Sequence, residues 1–248
     1  MKKSLLFNLM PFLLTGIVLI IYTTASAQES SEDEADSGLN LAVVALPSSS
    51  YVSGDTTLDA LNDGYDPRNS RDNRRGSYGN WNRTGTQWVQ YDWNKPIYTN
   101  KIDVYWWADG RGVHAPKACR LLYWNGNDFA PVSNPSGLGV DESQYNTTTF
   151  DEVCTSKLKL EIDADGNYST GILEWKVYDS GKSPDFPPKV EAGIDRVVVL
   201  GGKTYLSGNI KTLEDKGAAP TVTWSKASGS GEVTFENANA VVTTAKFS

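Results

Sequence analysis

From Leu39 to about Asp179 the chain runs in short stretches of alternating apolar and polar residues, separated by Gly, Asn, Asp and Pro. Strict alternation puts every second side chain on one face, so each stretch predicts a half-buried strand. In QWVQYDW (87–93) Val89, Tyr91 and Trp93 share a face, and in KIDVYWW (101–107) Ile102, Val104 and Trp106 do so. SKLKLEI (156–162) and GILEWKVY (171–178) alternate as well, and Asn125-Gly126 within CRLLYWNGNDFAPV is a hairpin signal. No segment sustains the 3.6-residue period with caps, so little helix is expected. Several strands at this spacing predict an all-β fold, an antiparallel β-sandwich. A second all-β run follows residue 188: RVVVL, KTYLSGNI, TVTWSK, EVTF and VVTTAKFS.

The flanking segments read differently. Residues 1–27 carry Lys2 and Lys3, an apolar run from Leu5 to Ile21, and the small-residue site Ala25-Ser26-Ala27. That is the pattern of a cleavable signal peptide, with a retained anchor as the rival reading. No cysteine stands at the cleavage point to take a lipid. The expected product is secreted, periplasmic or held at the cell surface, with no membrane insertion after cleavage. Residues 28–38 form an acidic spacer, and 181–188, within SGKSPDFPP, a stiff Pro-rich linker. These divide the chain into a first domain at 39–180 and a second at 189–248. The second is short of the ~100 residues a complete immunoglobulin-type sandwich usually takes. It ends inside an apparent strand, which predicts that the chain is part of something longer.

Charge narrows the partners. The net charge of −7 includes no basic stripe to offset phosphate repulsion, so no nucleic acid is expected. With 11% aromatic and only 21% charged residues, the chain suits a neutral ligand with flat apolar faces, such as a sugar. Cys119 and Cys154, in an oxidising compartment, are either a disulfide or two small buried thiols. Catalysis finds little support. There is one His and no Gly-x-Ser-x-Gly turn, and the adjacent Asp141 and Glu142 read as solvated loop residues.

ALNDG (60–64), the Trp-x-x-x-Asp strand at 88–92, the hairpin ACRLLYWNGNDFAPV and the closing STGILEWKVY occur in this order. The ordered set resembles the discoidin-type (F5/8 type C) galactose-binding-like domains, and more narrowly family 32 carbohydrate-binding modules. AGIDRVVVLGGKTYLSG through TVTWSKASGSGEVTF resembles bacterial Ig-like or PKD-like modules, with Trp224 placed like their inward Trp. The resemblance implies a discoidin-like jelly roll followed by a truncated immunoglobulin-like β-sandwich. It also implies a role as an accessory part of a large secreted glycoside hydrolase, whose catalytic domain would lie beyond this chain. A polysaccharide or other glycan would be the partner. Surface adhesion or protein interaction through the same loops is the alternative.

The same resemblance implies a structural Ca²⁺, with oxygens from Leu61, Asp63, Asp66, Ser70 and Glu174. Ca²⁺ takes six to eight hard oxygens of this kind. The rival reading is a plain Asp-Gly turn, and the charged run DPRNSRDNRR (66–75) departs from the family pattern. For the sugar, two loop stretches combine aromatic faces with planar polar groups. They offer Tyr78, Asn80 and Trp81, and Trp107, Arg111 and His114. The competing roles are loop-to-core pinning for Tyr78 and Trp81, and turn stabilisation for His114. Alternation puts Trp107 opposite Trp106, at the point where strand gives way to loop.

Overall fold

The computed structural model describes residues 38–199, 201–213 and 221–248. The signal-peptide and spacer expectations therefore fall outside the described residues, apart from Gly38. Among them no helix is long and apolar enough to cross a membrane, and helix is confined to 3-10 turns at Leu41–Val44 and Leu58–Leu61.

Eight strands form one sheet: β1 (Leu46–Ser49), β2 (Tyr78–Gly79), β3 (Thr86–Trp107), β4 (Val113–His114), β5 (Ala118–Trp124), β6 (Phe129–Pro131), β7 (Tyr145–Asp163) and β8 (Ser169–Asp179). The path runs β2-β8-β3-β7-β5-β6, with β1 on β3 and β4 on β8. All these pairings are antiparallel except β4 with β8. The segments 87–93 and 101–107, read from the sequence as two strands, are the two halves of β3. Register shifts between Asp92 and Ile97 and again between Thr99 and Lys101 bend it. Pro96 sits in the first irregularity, where a residue without an N–H cannot hold a ladder bond.

The two halves of the bent strand line one core. Val89, Tyr91 and Trp93 from one half and Ile102, Val104 and Trp106 from the other belong to a single core. There Tyr91 stacks on Trp175 at 4.3 Å between ring centroids, and its hydroxyl donates to the carbonyls of Leu61 (2.6 Å) and Trp175 (3.0 Å). Trp93 Nε1 donates to the Leu41 carbonyl at 2.8 Å. The strand faces predicted by alternation thus line the core of an all-β, antiparallel sandwich. The Asn125-Gly126 hairpin forms between β5 and β6, with Trp124 opposite Phe129. The Asn125 side chain accepts from the Asn127 and Asp128 N–H groups.

The opposite face of β3 is buried too. Tyr105, Trp107, Val113 and Leu173 form a second cluster against which Tyr145 packs. Trp107 is therefore no exposed rim residue; only 7% of it reaches solvent.

Cys119 and Cys154 are free thiols, one buried and one exposed. Cys119 pairs with Ile162, eight positions along β7 from Cys154. At the rise of a strand that is roughly 26 Å, where a disulfide needs Cα atoms within about 7 Å. The structure excludes the bond. Burial pushes the Cys119 thiol up to about 12.

Beyond Asp179 the Pro-rich segment is docked rather than free. Phe186 packs on the core, Lys95 Nζ donates to the Asp185 carbonyl, and the Tyr98 N–H donates to Ser183 Oγ. Then come β9 (Lys189–Glu191), β10 (Lys203–Ser207), β11 (Asn209–Lys211), β12 (Val233–Phe235) and β13 (Val242–Phe247). They form a two-stranded sheet, β11-β9, and a three-stranded sheet, β10-β13-β12. Residues 196–199 and 221–226, which alternation predicts as strands, are not strands. Trp224 is half-buried at most, with its Nε1 donating to the Ala240 carbonyl.

Candidate functional site

Three loops meet at the end of the sandwich where β2, β4 and the start of β8 converge. The loop at 53–56 is tied to β2: the Ser53 N–H and hydroxyl both donate to the Gly79 carbonyl, as does the Thr56 hydroxyl. The loop after β2 is pinned by Asn80, which is fully buried. Asn80 Nδ2 donates to Thr170 Oγ1 at 2.7 Å, and its Oδ1 accepts from the Thr170 N–H at 2.8 Å. The loop at 109–113 is shaped by Asp109, whose Oδ1 accepts from the N–H groups of Arg111 (2.7 Å) and Val113 (3.0 Å).

Glycines let two tryptophans approach this framework. A Cβ on Gly79 or Gly171 would sit 2.7 or 2.6 Å from the Trp107 ring, so that indole lies in a slot only glycine leaves open. A Cβ on Gly112 would be 2.8 Å from the Trp81 ring. Trp81 lies across Gly112 and keeps 52% of its surface in solvent.

Between the two indoles is a cavity of about 260 Å³, lined by Ser53, Asp55, Trp81, Trp107, Asp109, Arg111, Gly112 and Val113. Arg111 is exposed, and its guanidinium has no ion-pair partner among the described residues. The Arg71 guanidinium lies against Gly110 at the same loop. One exposed aromatic face, an unpaired fork of N–H donors and two carboxylates thus border one opening.

Of the six residues singled out for sugar contact, the structure brings Trp81, Trp107 and Arg111 to this cavity. Tyr78 is in the core, its hydroxyl donating to the Tyr51 carbonyl, and Asn80 is consumed by Thr170. Neither faces the opening. His114 lies one residue beyond the lining residue Val113, stacked on Tyr168 at 3.6 Å. Ser53 and Asp55 were missed. Their stretch, SGD, reads as an ordinary turn, and nothing local in it signals a site.

The residues proposed for a cation separate in the same way. Glu174 on β8 is fully buried. Its Oε2 accepts a 3.3 Å bond from the Gly64 N–H, while Oε1 has no partner. Burial, and then repulsion from Asp63, push its carboxyl well above the usual range. Asp63 is exposed at the surface, but partial desolvation of its carboxyl still raises it, and its Oδ1 accepts from the Tyr65 N–H. The Leu61 carbonyl enters this region through Tyr91, whose hydroxyl is held high by burial first and then by Glu174 and Asp63. Lys211 Nζ donates to the backbone carbonyl and Oδ1 of the neighbouring Asn62.

Asp66 and Ser70 are engaged elsewhere. Asp66 Oδ1 takes bonds of 2.6 Å from Lys176 Nζ and from the Tyr145 hydroxyl. Burial works to raise its carboxyl, but these partners hold it low. Ser70 exchanges bonds with Ser143. The charged run 66–75 closes around Asp72, which accepts from Arg74 Nε, the Arg68 N–H and the Tyr65 hydroxyl. Among the described residues no three His, Cys, Asp or Glu side chains form a ready metal cluster.

No protein-family model and no curated protein sequence matches the chain. Solved structures do match. A chain of the *Streptococcus pneumoniae* beta-galactosidase BgaA superposes with a TM-score of 0.50 at 18% identity, over 55% of this chain and 93% of that one. The family 32 carbohydrate-binding module of *Clostridium perfringens* NanJ, solved with galactose, gives 0.46 at 14% identity, over 57% and 98%. A chitosan-binding module from a *Paenibacillus* chitosanase/glucanase gives 0.44 at 13%, over 56% and 98%. At such identities the first likeness is one of fold.

Proposed function

We propose that this chain is a non-catalytic glycan-binding module of an exported, polysaccharide-degrading protein. The observation that carries the reading is the cavity beside Trp81. A sugar presents an apolar face that packs on an exposed ring and hydroxyls that need planar, directional partners. Trp81 supplies the ring, Arg111 the donors, and Asp55 and Asp109 the acceptors, on loops held by buried bonds. The sugar binding of the galactose- and chitosan-binding modules above is in keeping with this assignment. A weak site of this kind acts by raising the local concentration of an attached catalytic domain on its polymer. The residue pattern of 1–27 supports export.

Affinity electrophoresis on a panel of plant and host polysaccharides tests the reading. The wild type is retarded by at least one glycan. Trp81→Ala and Arg111→Ala migrate freely with unchanged melting temperature. No retardation on any glycan, with capture of a protein partner through the same loops, turns the assignment to adhesion.

A structural Ca²⁺ belongs to the same proposal. The orphaned, buried Oε1 of Glu174 beside Asp63 and the Leu61 carbonyl suits a hard cation, which prefers such mixed oxygen donors. These three groups would hold it, with Asp66 and Ser70 left to their present partners. Its role would be to tie the Leu58–Leu61 turn to β8.

A further inference from the structure

We infer that the stacked His114–Tyr168 pair is a second sugar-stacking position beside the Trp81 cavity, so that the site takes a chain of linked sugars rather than a lone terminal one. This rests on the glycan-binding reading above.

Val113 points inward, 2% exposed, into the cluster with Trp107. His114, its neighbour in β4, therefore faces the other way. Trp81 lies over Gly112, two residues before His114, a separation along the chain of at most about 7 Å. That is the scale on which one ring follows the next in a glycan. Tyr168 stacks on His114 with ring planes 10° apart, and 42% of it is exposed.

The chain fixes this spacing. The Ser169 N–H donates to the Gly112 carbonyl at 2.9 Å, β4 pairs His114 with Thr170, and Ser169 Oγ donates to the Arg83 carbonyl at 2.6 Å. Tyr168 is thus held through its neighbour Ser169, whose N–H reaches the residue beneath Trp81 and whose hydroxyl reaches the loop that carries Trp81. Asp165 and Asn167, both exposed, precede it in the same turn and offer hydroxyl partners. A lone exposed aromatic means little. Rings lying over Gly112 and at His114, two residues apart and next to a cavity holding an unpaired arginine, make an extended surface.

The test is a length ladder. Gluco-, manno-, galacto- and xylo-oligosaccharides of increasing length, from the single sugar upward, are titrated calorimetrically into wild type, Tyr168→Ala and Tyr168→Phe. The wild type gains roughly three- to tenfold on passing from one sugar to two or three, the worth of one more stacked ring. Tyr168→Ala loses that gain and binds every length as it binds the single sugar, while Tyr168→Phe retains it. An affinity independent of length in the wild type, or an equal gain in Tyr168→Ala, overturns the second position while leaving the Trp81 cavity intact. Absence of binding at every length removes the glycan-binding reading, and this one with it.

Discussion

Replacing Glu174 by glutamine keeps the shape of a fully buried side chain and removes its charge. The wild-type carboxyl sits in the core with one weak bond and one unpaired oxygen, and an unpaired buried acceptor costs about 1–3 kcal/mol. Its folded-state pKa is raised, so in the unfolded chain it ionises at lower pH than in the fold. The linkage sign follows: this group's contribution is fully present below the unfolded value of about 4.3 and is lost as pH rises through the folded value. Metal-free wild type should therefore lose stability relative to Glu174→Gln over the range from about pH 4.3 upward. Calcium should reverse the order, because it binds the ionised form of the native state alone. At a hundred times its dissociation constant a ligand contributes ~2.7 kcal/mol, which for a chain of this size is roughly 5–10 °C in melting temperature. Thermal unfolding by fluorescence or calorimetry, with chelator or with excess CaCl₂ across that pH range, reads both effects. Asp63→Asn, at an exposed position, serves as a second variant that weakens the calcium response while leaving the core untouched. A wild type that ignores calcium at every pH removes the cation. A wild type whose metal-free pH profile parallels that of Glu174→Gln refutes the account of the buried carboxyl.

Asn80→Ala strips the side-chain acceptor from the buried Thr170 N–H; it should cost about 1–3 kcal/mol, measured by urea unfolding, and a neutral result would show that the loop is held by other means. Gly112→Ala puts a methyl 2.8 Å from the Trp81 ring. Losing that stacking surface should weaken glycan binding about fivefold with little change in melting temperature, so unaltered binding would place the sugar elsewhere. A thiol reagent should modify Cys154 in the native protein and Cys119 only after denaturation. Two unreactive cysteines in denaturant would mean the disulfide exists after all.

The period-2 rule is local, and what depends on it was legible in the chain: the inward faces of β3, the hairpin at Asn125-Gly126, and the all-β class. Each follows from neighbours in sequence. What escaped depends on residues that meet only after folding. That 87–93 and 101–107 are one strand bent near Pro96 requires β7 and β8 alongside to fix the register. Trp107 reads as a rim residue by alternation, yet it is buried because Gly79 and Gly171 leave it a slot. Asn80 reads as a sugar ligand, yet its hydrogen bonds are spent on Thr170, ninety positions away. Arg111 keeps its donors free because the nearby Asp109 caps the backbone instead. Which residues can stack, donate or be buried follows from their chemistry and their place in the alternating pattern. Which of them already have partners is set by the folded arrangement, because that depends on what the packed strands and loops bring within hydrogen-bonding reach.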